Sequence, residues 1–170
     1  EGFEVTYVDP TPDGVIEPVR VKEALRDDTI LVSIMHVNNE LGTIQPVEEI
    51  GQLCYDRGIF FHTDAAQSFG KINIDVDDMN IDLMSISGHK IYGPKGIGAL
   101  YLRDSRETKI TPIIHGAGQE MGLRGGTIAT PLVAGFAEAT KLIKYNSDKI
   151  NILKERFIRR ISDCLVVKIN

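Results

Sequence analysis

The amino-acid sequence predicts an α/β fold, with a mostly parallel sheet and flanking helices. Short apolar runs alternate along the chain with segments of helical periodicity, which is the pattern of repeated β–α units. Three of the apolar runs end in clusters of polar side chains, and in open parallel sheets ligands bind beyond the carboxyl ends of the strands. With 170 residues, of which 42% are hydrophobic and 25% charged, the chain has the size and composition of about one globular domain.

The N-terminal part of the chain contains two predicted strands and a short helix. Residues 3–8 alternate apolar and polar side chains, which is typical of a strand, and a turn containing Pro and Gly follows at 9–14. A short helix is predicted at 18–25 because proline is favoured in the first helical turn. The apolar run at 29–35 predicts a buried strand that leads into the polar segment 36–42.

A second helix is predicted between Pro46 and Gly58. Its start is marked by the proline and by two acidic residues, whose charges complement the positive end of the helix dipole. The apolar residues that share its inner face are Val47, Ile50, Leu53 and Cys54. Cys54 is therefore predicted to be a buried core thiol rather than a nucleophile.

The remaining elements continue the alternation of strand and helix. Strands are predicted at 59–63, 83–87 and 98–102, the last of them returning beside its predecessor as in a hairpin. Beyond them the chain predicts a charged surface segment at 103–109, a loop with five glycines at 116–126, a helix at 131–145 and a strand at 165–169. Ser147 is a candidate cap for a further helix that continues to about residue 161. The glycine-rich loop is of a kind that can approach a phosphate closely.

Two of the polar clusters carry a recognisable chemistry. Lys90 lies between an apolar strand and a loop rich in Gly and Pro, where shielding from water would lower its pKa and make the amine nucleophilic. Such a lysine can form a Schiff base with a carbonyl cofactor such as pyridoxal phosphate. Asp64, after the preceding strand, is the kind of carboxylate that pairs with the ring nitrogen of that cofactor. The alternative for Lys90 is an ordinary surface lysine in a turn.

Four segments, in order along the chain, resemble the signature of the cysteine desulfurases. They are His-Val-Asn-Asn-Glu-Leu-Gly at 36–42, His-Thr-Asp-Ala-Ala-Gln-Ser at 62–68, Ser-Gly-His-Lys-Ile-Tyr-Gly-Pro-Lys-Gly at 87–96 and Gly-Gln-Glu-Met-Gly-Leu-Arg-Gly-Gly-Thr at 118–127. The cysteine desulfurases are pyridoxal-phosphate enzymes of the aminotransferase class V group. The sequence is similar to the housekeeping type of bacteria and mitochondria, which feeds iron–sulfur cluster assembly.

The resemblance implies roles for four residues around the cofactor ring. Lys90 would form the Schiff base and later move the α-proton of the substrate. Asp64 would pair with the pyridinium nitrogen, and Gln67 would hydrogen-bond the phenolic oxygen. Asn39 would contact the cofactor or the substrate near that oxygen. For Gln67 and Asn39, a local role in turns is the alternative.

Three further residues are implied as phosphate ligands. Ser87 and His89 would bind the phosphate of their own subunit, and a turn residue and a capping side chain are the alternative interpretations. Thr127 matches a residue that reaches the phosphate of the partner subunit in this family, so the resemblance implies a homodimer.

The resemblance also implies the architecture, partners and location of the protein. Residues 1–145 would belong to the large domain of the aspartate-aminotransferase-like fold (fold type I), and residues 146–170 would begin the small C-terminal domain. The chain would then be a central fragment, which is not expected to turn over cysteine alone. L-cysteine would be the substrate, and a sulfur acceptor or iron–sulfur scaffold protein would be the partner. The location would be the bacterial cytoplasm or the mitochondrial matrix.

The sequence departs from the family pattern in two places. The glycine-rich loop of the family usually reads Glu-Arg-Gly-x-Arg-Ser-Gly-Thr, whereas this chain has Met121 and Gly125 at the second and sixth positions. The changes remove a positive charge and a hydroxyl, which is expected to alter the rigidity of the loop and some dimer contacts. The nucleophilic cysteine of the family lies far C-terminal to the lysine, and Cys164 is too close to Lys90 in sequence to be assigned that role.

Composition and motif spacing disfavour several other classes of function. The net charge of −5 argues against a nucleic-acid partner, and no apolar run approaches the roughly 20 residues of a membrane span. Two cysteines without CxxC spacing indicate a reducing compartment rather than a disulfide framework or zinc ribbon. The phosphate-loop, nucleotide-binding and serine-hydrolase motifs are absent.

Four alternatives stay open at this point. A metal site would use His62, Asp64, His89 and His115, although no HExxH motif or cysteine pair supports it. A selenocysteine lyase or another class V aminotransferase would use the same cofactor chemistry. An inactive fragment or scaffold is the alternative that is not an enzyme.

Overall fold

The computed structural model describes residues 2–103, 110–143 and 147–166 of the chain. It consists of short strands and helices joined by ordered turns, with two single turns of 3₁₀ helix at Gly88–Ile91 and Glu120–Gly122. The strands and α-helices, in chain order, are α1 Pro18–Ala24, β1 Leu31–Met35, α2 Val47–Tyr55, β2 Phe60–Asp64, β3 Leu83–Ser87, β4 Gly98–Leu102, α3 Thr130–Leu142 and α4 Ser147–Ser162.

The four strands form one sheet in the order β1-β2-β3-β4. The first three strands are parallel, and β4 returns antiparallel to β3. Met35 lies opposite Asp64, and Asp64 lies opposite Ser85, so the carboxyl ends of the parallel strands meet at one edge of the sheet. The predicted α/β class, the mostly parallel sheet and the hairpin-like return of β4 are confirmed.

The hydrophobic core lies between one face of the sheet and helices α1 and α2. The fully buried side chains include Ile50 and Cys54 of α2 and Phe61 of β2, as the helical spacing of α2 predicts. Gly51 allows the close approach, because a Cβ atom there would overlap the main-chain carbonyl of Met79 and lie 3.1 Å from the Phe61 ring. Cys54 is therefore a core residue, and its predicted burial is confirmed.

The opposite face of the sheet is only partly covered. Leu31, Phe60 and Leu100 point to this face and keep 48%, 45% and 51% of their surface exposed. A strand forms at Leu31–Met35, but the prediction that it is buried is wrong for the side chains on this face, including Leu31. The reason is that helices α1 and α2 cover the other face of the sheet, so only the inner face of β1, with Val32 and Ile34, packs on the core.

The strand predicted at 3–8 is not formed. Phe3, Val5 and Tyr7 are all exposed, and within the described residues this segment pairs with no strand. Alternation of apolar and polar residues indicates a strand only where a sheet edge accepts its backbone hydrogen bonds.

The C-terminal helices agree with the sequence patterns except at their ends. Helix α3 begins at Thr130 and ends at Leu142, earlier than predicted, and α4 includes Ser147 rather than starting after it. Residues 104–109 of the predicted charged segment and 167–170 of the last predicted strand lie outside the described residues. No described helix is both long enough and apolar enough to cross a membrane.

Candidate active site

Three turns meet at the carboxyl edge of the parallel strands, and they hold most of the predicted site residues. The main chains of neighbouring strands are tied together where the turns begin: the His36 amide donates to the Asp64 carbonyl at 2.9 Å. In the same way, the Ala65 amide donates to the Ser85 carbonyl at 2.9 Å. The turns after β1, β2 and β3 therefore leave the sheet side by side.

Lys90 lies on the 3₁₀ turn that follows β3. The turn is closed by hydrogen bonds from the Gly88 amide to the Ile97 carbonyl and from the Gly93 amide to the Gly88 carbonyl, both at 3.0 Å. It ends at Tyr92, whose φ of 65° is left-handed. Lys90 is half-buried, and its amine makes no hydrogen bond or ion pair with any described residue. The structure thus presents a partly shielded amine without a competing carboxylate.

Helix α3 packs against the turn of Lys90. A Cβ atom on Gly88 would lie 2.9 Å from Cγ2 of Ile97 and 3.3 Å from the ring of Phe136. A Cβ atom on Gly93 would lie 3.3 Å from Cβ of Ala139. Both glycines are therefore needed for the helix to approach, and this packing fixes the backbone on which Lys90 stands.

Asp64 is the last residue of β2 and is half-buried. Its Oδ1 atom accepts a hydrogen bond of 2.8 Å from the Ala66 amide, an arrangement that holds the turn after the strand. Among the described residues, its carboxylate forms no ion pair. A cationic group bound beyond this strand end would therefore find an acceptor whose orientation is already set.

A row of hydrogen-bonded side chains crosses the sheet beneath Asp64. The Nδ1 atom of His62 lies 2.8 Å from the Ser33 hydroxyl, and its Nε2 atom lies 2.9 Å from the Ser85 hydroxyl. Burial lowers the pKa of His62, and the negative charge of Asp64 opposes that effect. The imidazole is thus held on both nitrogens, two positions before Asp64 on the same face of β2.

Gln67 lies in the turn after β2 and is linked to Lys71, a residue to which the sequence interpretation gave no role. The amine of Lys71 donates to Oε1 of Gln67 at 3.1 Å. Burial lowers the pKa of Lys71, and the positive charge of Lys90 lowers it further. The four-residue spacing of Gln67 and Lys71 across a tight turn was the signal that could have revealed the pair.

Ser87 and His89 flank the beginning of the turn that carries Lys90. The Ser87 hydroxyl lies 3.1 Å from Nδ1 of His89. Ser87 occupies the capping position of the turn, yet its side chain makes no capping hydrogen bond to the backbone. Its hydroxyl is therefore available to an anion as well as to the imidazole.

Asn39 and its neighbours form the turn after β1. Oδ1 of Asn38 accepts hydrogen bonds of 2.9 Å from the amides of Glu40 and Leu41, which shape this turn. The Asn39 side chain is exposed and makes no hydrogen bond with a described residue. Asn38 thus serves the turn, and Asn39 is left free for a ligand.

His36 is buried at the base of the same turn. Its Nδ1 atom has no hydrogen-bond partner among the described residues, and burial lowers its pKa. The residue belongs to the first motif, although the sequence interpretation gave it no role. Its main chain is held on both sides, since the Gln45 amide donates to its carbonyl at 2.8 Å.

The glycine-rich loop is folded onto itself. Oε1 of Gln119 accepts hydrogen bonds of 3.1 Å from the amides of Ala117 and Gly126, and the Gly125 amide donates to the Ile114 carbonyl at 2.8 Å. A Cβ atom on Gly125 would lie 2.5 Å from the Gly116 nitrogen, so a serine would not fit here. Several amides of the loop are therefore used internally, which leaves fewer for an anion than the sequence suggested.

Thr127 is the first residue after this loop. Its side chain is exposed, and it makes no hydrogen bond within the part of the chain that the structure describes. Met121 of the loop is exposed with a left-handed φ of 55°.

Among the described residues, no group of three or more His, Cys, Asp and Glu side chains could hold a metal ion.

Comparison with known protein families places the chain in a class that agrees with this fold and site. The chain belongs to the aminotransferase class V family, which it matches over residues 1–165. Membership in this family implies dependence on pyridoxal phosphate.

Three similar relatives share a more specific name. A mitochondrial cysteine desulfurase of Candida albicans is 60% identical over 156 residues, which are 91% of this chain and 32% of the relative. That of Saccharomyces cerevisiae is 55% identical over 98% of this chain and 33% of its own length. The cysteine desulfurase IscS of Rickettsia felis is 51% identical over 95% of this chain and 40% of its own. The chain thus spans between a third and two fifths of these relatives, and the resemblance found in the four motifs is confirmed.

Solved structures give the same result. A structure described as SspA in complex with cysteine is similar with a TM-score of 0.86 and 54% identity, over 94% of this chain and 46% of that one. A NifS-like protein is similar with a TM-score of 0.78 and 42% identity, over 84% of this chain and 39% of that one. The fold is therefore part of the large domain found in cysteine desulfurases.

Proposed function

We propose that this chain forms the cofactor-binding part of a pyridoxal-phosphate-dependent cysteine desulfurase, which converts L-cysteine to L-alanine and leaves the sulfur as a persulfide for iron–sulfur cluster assembly. Lys90 supports this activity most directly. Its amine is half-buried on a turn fixed between β3 and α3, and it has no partner among the described residues. The names of the relatives and the neighbour solved with cysteine support the same substrate.

The donor set at the strand edge fits pyridoxal phosphate. The cofactor has an aldehyde, a ring nitrogen, a phenolic oxygen and a phosphate, which require an amine, a carboxylate, a neutral donor and anion-binding groups respectively. Lys90, Asp64 and Gln67 supply the first three types, and Ser87 with His89 supplies the fourth. The carboxylate of Asp64 has no ion pair among the described residues, and the Ser87 hydroxyl is not used as a cap.

The chemistry divides between the cofactor and the residues of this chain. Bound pyridoxal phosphate supplies an electron sink for the bonds at the substrate α-carbon. Asp64 would keep the ring nitrogen protonated, which that sink requires, and Ser87 and His89 would fix the phosphate. Lys90 Nζ would hold the aldehyde of the cofactor and would carry the α-proton of L-cysteine. Asn39, exposed beside this edge, would orient the substrate or the ring.

The sulfur must be taken by a thiolate, and we assign that thiol to a part of the enzyme outside these residues. Cys54 is buried in the core, where burial raises its pKa to about 11 with Asp82 adding to the effect. Cys164 is exposed just after the end of α4. Among the described residues, no hydrogen bond connects it with the turn of Lys90. In the balanced reaction the Cβ–S bond of L-cysteine breaks, and the sulfur forms an S–S bond with the thiolate. The electron pair of the broken bond stays with carbon, which takes up a proton to give L-alanine.

The wider organisation of the enzyme belongs to the same proposal. Residues 1–145 would form part of the large domain and 146–170 would begin the small domain. The enzyme would be a homodimer in which Thr127 reaches the phosphate site of the partner, and it would pass sulfur to an iron–sulfur scaffold protein. The relatives include mitochondrial and bacterial enzymes, which favours the mitochondrial matrix or the bacterial cytoplasm as its location.

Covalent trapping tests the central assignment. Reduction of the enzyme with borohydride in the presence of pyridoxal phosphate, followed by peptide mapping, should place the pyridoxyl group on Lys90. Lys95 is a matched control, because it is exposed on the neighbouring loop and should remain unlabelled. Label on Lys95 in place of Lys90 would end the assignment. Release of sulfide from L-cysteine, compared with selenide from L-selenocysteine, would separate a desulfurase from a selenocysteine lyase.

A further inference from the structure

Lys71 and Gln67 form a pair whose chemistry fixes the orientation of the Gln67 amide. The Lys71 amine lies 3.1 Å from the Gln67 side chain, across a turn that the Lys71 amide closes by donating to the Ser68 carbonyl at 2.9 Å. An ammonium group can only donate hydrogen bonds, so the amide oxygen of Gln67 must face Lys71. The NH₂ group of Gln67 must then face away from Lys71 as a free donor.

The turn that carries this pair packs directly on the turn that carries Lys90. A Cβ atom placed on Gly70 would lie 3.1 Å from Cγ2 of Ile91, the residue that follows Lys90. The positive charge of Lys90 also acts on the Lys71 ammonium. Lys71 thus brings a second positive charge to the neighbourhood of Lys90.

We propose that Lys71 is a positioning residue of the cofactor site, which holds the Gln67 amide so that its NH₂ group donates to an anionic oxygen of the bound cofactor. This role rests on the proposed function. The phenolic oxygen of pyridoxal phosphate needs a donor, whereas the opposite orientation of Gln67 would present a second acceptor and repel it. Lys71 also places a second positive charge near Lys90, and like charges close together repel each other.

Variants of the pair separate orientation from charge. Lys71→Met removes both the hydrogen bond and the charge, whereas Lys71→Arg keeps both. Gln67→Glu keeps an acceptor for Lys71 but removes the NH₂ donor. Lys95→Met removes an exposed lysine from the loop after the Lys90 turn and serves as the control. Because Lys71 is exposed, its replacement is expected to leave the fold intact, which circular dichroism checks.

Two readouts other than activity test the proposal in the full enzyme. The dissociation constant of pyridoxal phosphate should rise about five- to tenfold in Lys71→Met and at least as much in Gln67→Glu, but stay near the wild-type value in Lys71→Arg and Lys95→Met. The pH at which the visible absorbance of the bound cofactor changes should move upward in Lys71→Met, because loss of a neighbouring cation favours the protonated form. A general loss of stability would lower affinity without this shift.

The measurements separate an incorrect role for Lys71 from an incorrect cofactor site. If Lys90→Ala abolishes the visible absorbance, while Lys71→Met leaves both the affinity and the titration unchanged, Lys71 has no positioning role although the cofactor site is correct. If the wild-type enzyme carries no cofactor on Lys90, the proposed function is wrong and the inference is lost with it.

Discussion

The hydroxyl oxygen of Ser87 and the Nδ1 atom of His89 lie 3.1 Å apart, at the point where β3 passes into the turn that carries Lys90. Both side chains can donate to an anion, and the Ser87 hydroxyl is not used as a helix cap. Two side chains that can donate to an anion therefore stand in the same turn as the amine that would hold the aldehyde. One rigid segment would then fix two ends of a single cofactor.

Replacing Ser87 should weaken binding of the phosphate and leave binding of the ring unaffected. A hydrogen bond to a charged group contributes about 1.5–3 kcal/mol, so Ser87→Ala should lower the affinity for pyridoxal phosphate by roughly ten- to hundredfold. Pyridoxal, which lacks the phosphate, should bind the variant and the wild type equally. Absorbance titration with the two compounds provides the measurement. An equal loss for both would mean that Ser87 acts on the fold of the turn rather than on the phosphate.

Neutralising Asp64 should weaken the electron sink without disturbing the turn. Asp64→Asn keeps an oxygen for the Ala66 amide, which Oδ1 accepts at 2.8 Å, but loses the charge that would pair with the ring nitrogen. The loss of a charge-assisted hydrogen bond, about 1.5–3 kcal/mol, should lower both cofactor occupancy and turnover. Occupancy is read from absorbance and turnover from sulfide release.

Asp75 offers the matched control for this substitution. Its Oδ1 atom accepts hydrogen bonds of 2.9 Å and 3.2 Å from the amides of Asp77 and Asp78, so it has a similar turn role at an exposed position. Asp75→Asn should leave occupancy and turnover unchanged. Unchanged turnover in Asp64→Asn and Asp64→Ala would refute the role of Asp64.

Much of the sheet could be predicted because its strands are short, apolar and followed at once by polar residues. The predicted strands at 59–63 and 83–87 agree with Phe60–Asp64 and Leu83–Ser87 to within one residue. The spacing of Val47, Ile50 and Cys54 predicted the buried face of α2. Local sequence was sufficient in these cases, because a helix face and a strand end are defined within a few residues.

The remaining features depend on contacts between distant parts of the chain. The row through His62 joins it to Ser33 and Ser85, which are 29 and 23 residues away, so it follows only from the register of three strands. The absence of a strand at 3–8 depends on which sheet edges are open, and the exposure of Leu31 depends on which face of the sheet the helices cover. None of these facts is encoded in a local pattern.

The close packing around Gly125 could also be recognised only from the structure. The sequence showed only that a glycine stands where the family usually has a serine, whereas the structure shows that a Cβ atom would lie 2.5 Å from the Gly116 nitrogen. Gly125→Ser should therefore disturb the loop rather than restore the family pattern.

Thr127 should act across a dimer interface. If it serves the phosphate site of the partner, a hybrid of a Lys90→Ala subunit and a Thr127→Ala subunit contains one intact site. In that site the Thr127→Ala subunit supplies Lys90, and the Lys90→Ala subunit supplies Thr127. Activity should then reappear in the hybrid although both parents are impaired, and sulfide release from affinity-purified hybrids measures it. Homodimers of Lys90→Ala subunits are the control and should stay inactive. If mixing restores no activity, Thr127 does not act across the interface.

The two cysteines of the chain should differ sharply in reactivity. Cys54 is fully buried with a pKa raised to about 11, so at pH 8 on the order of one thiol in a thousand is ionised, and that fraction rises with pH. Cys164 is exposed and should react with a thiol reagent such as Ellman's reagent in the folded protein. Reaction of Cys54 should require unfolding. Peptide mapping after timed labelling distinguishes the two positions.

The same difference predicts what substitution of each cysteine does to the enzyme. Cys54→Ser would place a hydroxyl in the core, and a buried polar group without a partner costs about 1–3 kcal/mol, so the melting temperature should fall. Cys164→Ser should leave both the melting temperature and sulfide release from L-cysteine unchanged, because the sulfur-accepting thiol is assigned elsewhere in the enzyme. Loss of sulfide release in Cys164→Ser, with cofactor absorbance retained, would instead identify Cys164 as that thiol. The exposure of Cys164 after α4 makes this a direct test, since the substitution disturbs no core packing.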